Sequence, residues 1–289
     1  MKVFITGVES FVGKELIVQC EKKGIELVGC DVRQPSDKIF RKIDIRSEAI
    51  ADIMSEGVDA VIHLAALSTD PLCRDKAYEC FDINVMGTLN LIRAAQARKA
   101  KQFIFASTEW VYDSFIGNEI KHEGSPVNIA NHTSEYALSK IVSEQSLRQK
   151  HKHGFCPVTI LRFGIIYGPR EANWSAVEAL YNSVKNGDNI TVGSLKTGRC
   201  FIHVSDIASG IIKSIGAAGF NTLNLEGDRL ISLGEIIAVS KKILGRNPVV
   251  TEKDPNNPSV RNVSNRKAVE MLNWRPLIDL EFGIKTLMK

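Results

Sequence analysis

The chain has 289 residues, of which 44% are hydrophobic and 24% charged, and its 37 basic and 33 acidic side chains leave a net charge of +4. That balance excludes collagen-like, low-complexity and disordered chains, and a chain of this length can bury a core without disulfides or metal. The basic excess is too small and too scattered to argue for nucleic acid, which needs a positive stripe or face, and it suits a small anionic ligand equally well, so composition does not choose between them.

The first element, Val3-Phe4-Ile5, reads as a buried strand, and the short apolar run around it lacks the length and cleavage site of a signal peptide. No run approaches the ~18 apolar residues of a membrane helix. Phe11 to Lys22 reads as a helix that Gly24 stops. Between strand and helix, Gly7, Ser10 and Gly13 form a G-x-x-G-x-x-G turn with serine at the middle position. Glycines there allow a tight turn, close approach of a pyrophosphate and packing of helix on strand, and the helix N-terminus adds N–H donors. Taken alone, the spacing is explained equally well by an ordinary strand-to-helix turn. The second strand, Glu26 to Cys30, ends at Asp31, where an acid can bind an adenosine ribose 2′-hydroxyl. Its charge favours NAD over NADP, although Arg33, two residues on, is of the type that accepts a 2′-phosphate.

A helix follows around Glu48 to Glu56, then the strand Ala60 to Leu64, a long helix Asn84 to Ala97, the strand Gln102 to Ala106, the helix Tyr136 to Lys150 and the strand Val158 to Leu161. Strands alternating with helices imply right-handed βαβ units and a doubly wound α/β fold with a parallel sheet. The second half is less regular, with loops at Gly187, Gly193, Gly198 and Asp254 to Pro258. The expected organisation is a sheet domain over 1–164, to which 198–226 returns, and a smaller α/β lobe over 165–197 and 227–289. The six cysteines form no C-x-x-C pair, and His122, His132, His151 and His153 have no metal spacing, so no metal is expected. The cysteines read as reduced packing residues of a cytoplasmic protein, with Cys30 in the core.

Tyr136 and Lys140 stand at i and i+4 on one helix face. An ammonium beside a phenol favours the phenolate, so the tyrosine becomes a usable acid or base near neutral pH. Y-x-x-x-K alone is common on solvated helices, but here it follows a strand leading to Ser107-Thr108, whose hydroxyls reach toward the same chemistry.

With these motifs the sequence resembles the extended short-chain dehydrogenase/reductases of the NAD-dependent epimerase/dehydratase group, which modify nucleotide sugars. The resemblance runs through His63-Leu64-Ala65-Ala66, Asn84-Val85-Met86-Gly87-Thr88-Leu89-Asn90-Leu91 and Phe105 to Tyr112. It continues through Leu161 to Arg170, Arg199 to Ala208 and Asn273-Trp274-Arg275-Pro276. It implies a Rossmann-type sheet with a substrate lobe. Tyr136 would be the acid/base, Lys140 would lower its pKa and hold the cofactor ribose, and Thr108 would steady the reacting oxygen. Gly7, Ser10, Phe11, Val12, Gly13, Asp31, Arg33, Asp44, Ile45, Leu64, Ala65, Ala66, Asn84, Ser107, Phe163, Ile165 and Ile166 would line the cofactor together with Tyr136 and Lys140. Thr108, Trp110, Arg199 and Arg261 would meet the substrate, the two arginines at its diphosphate.

Three departures shape the functional expectation. Ser10 replaces a glycine of the turn, and Ile165 stands where many sugar-nucleotide members carry asparagine. After Thr108 the string runs Glu109-Trp110, where 4,6-dehydratases have two acids. Glu109 keeps one catalytic carboxylate and Trp110 cannot replace the other. The resemblance therefore implies first a sugar 4-epimerase. The alternatives are a 4-keto-sugar reductase, a dehydratase-like or non-sugar carbonyl oxidoreductase, and a non-catalytic dinucleotide sensor. The expected partners are a nucleotide-diphosphate sugar and a second copy of the chain, paired through the helices Asn84 to Ala97 and Tyr136 to Lys150, with no nucleic acid or membrane.

Overall fold

The computed structural model describes residues 1–117, 119–171 and 175–288. Its first five strands are β1 (Lys2–Thr6), β2 (Glu26–Asp31), β3 (Arg41–Lys42), β4 (Ala60–His63) and β5 (Phe103–Thr108). With the strands Val158–Phe163 and Phe220–Leu225 they form a seven-stranded parallel sheet ordered Phe220–Leu225, Val158–Phe163, β5, β4, β1, β2, β3. In register, Thr6 faces Cys30 on one side and His63 on the other, and His63 faces Phe105. Parallel pairing therefore sets the ends of β1, β2, β4 and β5 side by side at one sheet edge, where such folds bind ligands. Every residue of β4 and β5 is buried, as expected of strands covered on both faces. Phe4, Cys30, Val61, Leu91, Ile92, Phe103 and Ile160 form the core of this part.

Helix α1 (Phe11–Lys22) starts and stops where the sequence predicts. Two expected helices differ. The segment 48–56 is helical over α2 (Ile50–Ile53) alone, because Ala49 offers no side-chain cap and Met54 is already extended. The helix expected from Asn84 begins earlier. After α3 (Asp70–Cys73), α4 (Ala77–Phe81) passes through a π-helical turn, Asp82–Met86, into α5 (Gly87–Ala97). Helix α6 (Glu135–Lys152) is capped by the Ser134 hydroxyl, which accepts the Ala137 N–H.

The chain divides into two compact units, the first being Met1–Asp113, Pro126–Arg162 and Ala208–Leu223, and the second Ser114–Ser125, Phe163–Ile207 and Asn224–Lys289. The edges at Arg162 and Leu223 fall two and three residues before the expected 164 and 226, and two whole segments fall elsewhere than the sequence reading placed them. Residues 198–207 stay in the second unit, because Gly198–Arg199 pairs with Ile231–Ser232 and with Val260–Val263. Residues 114–125 join the second unit because Ile120–Lys121 extends the same small sheet at Asn262 and Val263. That unit has its own core around Tyr167, Val177, Tyr181, Ile190, Ile236 and Ile284. Among the described residues, no helix is long and apolar enough to cross a membrane.

Candidate active site

The turn after β1 is shaped for close contact. Gly7 has φ +78, and a Cβ on it would lie 2.9 Å from the Ala65 nitrogen. A Cβ on Gly13 would lie 2.2 Å from the Gly7 carbonyl oxygen, so α1 can abut the turn only with glycine there. Ser10 fits the middle position because it is the N-cap of α1. Its Oγ accepts the Gly13 N–H at 3.0 Å, which leaves its own proton for a ligand oxygen. Phe11 and Val12 follow as the first helical residues, at the positive end of the helix dipole. These residues fit a dinucleotide pyrophosphate.

The Asp31 carboxylate is buried at the end of β2. Its Oδ2 accepts the Glu9 N–H at 2.9 Å, and its Oδ1 accepts the Arg33 N–H at 2.9 Å and Nε–H at 3.3 Å. A carboxylate has about four lone-pair sites, so capacity remains for a ribose hydroxyl. Asp44 is gripped by Arg46, whose hydrogen bonds hold its carboxyl below the usual range. Ile45 is buried, and its carbonyl accepts the Asn90 amide.

The strand end His63 to Ala66 is held by a buried hydrogen-bond chain. The Ala65 N–H donates to Thr6 Oγ1 at 3.3 Å, and the Thr6 hydroxyl contacts His63 Nδ1 at 2.8 Å. His63 Nε2 contacts Thr88 Oγ1 at 2.9 Å, and Thr88 donates to the Asn84 carbonyl at 2.6 Å. Thr88 spends its proton on Asn84, so it accepts from Nε2–H, and Nδ1 accepts from Thr6. Burial, aided by the Lys140 charge, pulls the His63 pKa down to about 3 and keeps the ring neutral. His63 is thus a fixed strut between the glycine turn and the helix that follows. The Asn84 side chain accepts the Leu67 N–H at 2.8 Å and donates to the Leu67 carbonyl at 3.0 Å and Ser139 Oγ at 2.9 Å. It braces the Leu64 to Leu67 segment against α6.

Thr108 ends β5, and the Tyr136 phenol hydrogen-bonds its hydroxyl. Burial pushes the Tyr136 pKa above its ordinary value, and the Thr108 bond acts the other way. Lys140 lies one helical turn on, its Nζ 6.0 Å from the centre of the Tyr136 ring and donating to the Ala106 carbonyl at 2.8 Å. Burial pulls its amine down to about 8. The structure thus brings Thr108, Tyr136 and Lys140 together as the spacing predicts. Such a group can take a proton from a carbinol hydroxyl and return it. Glu109 is buried directly after Thr108, while Trp110 is half-exposed. Ser107 donates to Glu144 Oε1 at 2.6 Å, and Glu144 is forked by Arg162 at 3.0 and 2.7 Å.

Sequence reasoning missed this Glu144–Arg162 pair, since an acid on α6 and a base on a central strand share no local pattern. It also missed Cys73 and Cys80, which pack with Leu67 against Tyr136, and Glu9, whose backbone touches Asp31. The Glu9 signal was available in the glycine turn itself, where a charged residue is out of place beside phosphates.

The second unit carries the remaining predicted residues. Arg199 and Arg261 are register partners on adjacent parallel strands, so their side chains share one face. Arg199 donates to the Ser259 carbonyl at 2.6 Å and to Ser259 Oγ at 3.0 Å. The Arg261 guanidinium lies 4.8 Å over the Phe115 ring. Phe163 is buried, Ile165 accepts the Ile202 N–H through its carbonyl, and Ile166 pairs with Ile202. Among the described residues, no cluster of His, Cys, Asp or Glu suits a metal ion.

The model of the NAD dependent epimerase/dehydratase family matches residues 3–224. The chain is 28% identical over 270 residues to a dTDP-D-glucose 4,6-dehydratase of Dictyostelium discoideum, covering 84% of this chain and 61% of that protein. It is 26% identical to a UDP-glucuronate 4-epimerase of Thermodesulfobacterium geofontis, covering 97% and 93%. The solved UDP-glucose 4-epimerase of Thermus thermophilus, in complex with NAD, superposes with a TM-score of 0.84 at 21% identity, covering 99% of this chain and 97% of that one. At that identity the likeness speaks for the fold.

Proposed function

The chain belongs to the NAD dependent epimerase/dehydratase family, and from that premise we propose that it is an NAD-dependent nucleotide-sugar oxidoreductase acting as a sugar 4-epimerase. The observation that carries the reading is the buried Thr108–Tyr136–Lys140 group, set at the sheet edge beside the glycine turn. Bound NAD supplies a hydride acceptor that can return what it takes. Tyr136 takes the proton of the sugar hydroxyl as a carbonyl forms and gives it back on reduction. Thr108 holds the reacting oxygen through the hydroxyl that already contacts Tyr136. Lys140 favours the phenolate while its amine is charged. Arg199 and Arg261, side by side on their sheet, are our choice for the substrate diphosphate. The match to a UDP-glucuronate 4-epimerase along nearly its whole length is in keeping with the epimerase reading. Trp110 in place of a second acid argues against an ordinary 4,6-dehydratase.

The test is chromatography of UDP-, GDP-, CDP- and dTDP-sugars incubated with purified protein and no added cofactor. An epimerase interconverts a 4-epimer pair, releases NAD or NADH when denatured, and loses about three or more orders of magnitude in rate as Tyr136→Phe. Stoichiometric consumption of added NADH or NADPH identifies a reductase instead. Inactivity on the whole panel rejects both readings.

A further inference from the structure

Glu9 is an acid inside the turn that would receive phosphate, and its position is tightly determined. Its N–H donates to Asp31 Oδ2 at 2.9 Å, so its backbone touches the carboxylate assigned to the ribose. Its own Oε1 accepts the Ser36 N–H at 2.6 Å, which ties the loop after β2 to the glycine turn. Its Oε2 lies 3.1 Å from Lys14 Nζ on the first turn of α1. The neighbouring pair repeats the arrangement, with Arg33 Nε 3.3 Å from Asp31 Oδ1. Both acids are largely buried, whereas both cations are 62% exposed. Two bases of the kind that would bind a 2′-phosphate are therefore each held by an acid.

We propose that Glu9 is a second specificity-determining residue, which with Asp31 keeps Lys14 and Arg33 from serving a 2′-phosphate and so makes the chain select NAD by charge at two positions. A neutral ribose hydroxyl can donate to the remaining lone pairs of Asp31 and leaves both ion pairs intact. A 2′-phosphate brings about two negative charges to the same place. It faces two carboxylates and gains a cation only by breaking an existing pair. The inference rests on the cofactor reading above and extends it to residues outside the catalytic group.

The experiment is an exchange. Purified protein is incubated with an equimolar mixture of NAD and NADP, desalted and denatured, and the released nucleotides are quantified. Wild type is expected to release mostly NAD. Glu9→Gln keeps an acceptor for the Ser36 N–H but removes the charge, so the NADP-to-NAD ratio is expected to rise about tenfold, with the gain shrinking at high salt. Adding Lys14→Gln to that variant returns the ratio toward wild type, a reversal that mere loosening of the loop does not produce. A Glu9→Gln protein that retains NAD with an unchanged ratio overturns the inference and leaves the cofactor reading standing. A wild type that releases neither dinucleotide overturns both.

Discussion

At the scale of single residues, Lys140 shows how burial sets chemistry. Burial pulls its amine down to about 8 from an ordinary value of 10.5. Below pH 8 it is charged in both the folded and unfolded chain. Between about 8 and 10.5 the unfolded chain keeps a proton that the folded one has released, so the Lys140 contribution makes stability rise with pH. The buried thiol of Cys30 and the half-buried one of Cys156, both pushed up to about 12 by desolvation, act in the opposite sense above their ordinary value. The readout is therefore a difference. Urea unfolding of wild type minus that of Lys140→Met is expected to gain about 3 kcal/mol across that interval. Turnover is expected to fall as pH rises through 8, because a neutral amine no longer favours the Tyr136 phenolate. If stability and turnover moved together, the amine would not be titrating where we place it. The Tyr136–Lys140 pairing was legible because i, i+4 spacing fixes it locally. The bond to Ala106 and the thiols against Tyr136 were not, since they come from strands and helices distant in sequence.

At the scale of elements, the helix that carries Tyr136 and Lys140 is fastened to the sheet by a buried ion pair. Glu144 stands one turn beyond Lys140 on α6, and Arg162 lies on the strand Val158–Phe163 and also donates to the Tyr112 hydroxyl at 3.1 Å. Side-chain exposure of 7% and 4% means that removing one partner strands a charge. Arg162→Met is expected to lower unfolding free energy by about 3 to 5 kcal/mol, and Arg162→Met with Glu144→Leu to regain most of it. A single variant within about 0.5 kcal/mol of wild type in urea unfolding would show the pair to be dispensable. The strands of the sheet were readable because their apolar runs are continuous and bounded by glycine or acid. The π-helical turn at Asp82–Met86 was not, since nothing in helical periodicity marks an extra residue per turn. Its logic is tertiary, because it carries Asn84, which clamps both backbone polar groups of Leu67.

At the scale of the whole molecule, the order of motifs gave away the architecture, whereas the unit boundaries depended on pairings as short as two residues, such as Ile120–Lys121 with Asn262 and Val263. Such strands carry too little pattern to be read in advance. The first unit also presents apolar side chains that its own core leaves outside. Tyr78 is 87% exposed, Met86 57% and Leu72 41%, on the segments that lead into α5. Leu138 and Val142, one turn apart on α6, are partly exposed as well. Side chains of this size in one stretch of chain are what an interface between copies buries. The expected homodimer, paired through α5 and α6, should use them. Light scattering is expected to give twice the chain mass for wild type, and half of that for Met86→Glu with Leu138→Glu. Both substitutions are at positions outside the buried core, so far-ultraviolet circular dichroism should stay unchanged. A wild type that runs at the mass of one chain over a wide concentration range contradicts the dimer. A variant that remains dimeric moves the interface to another face.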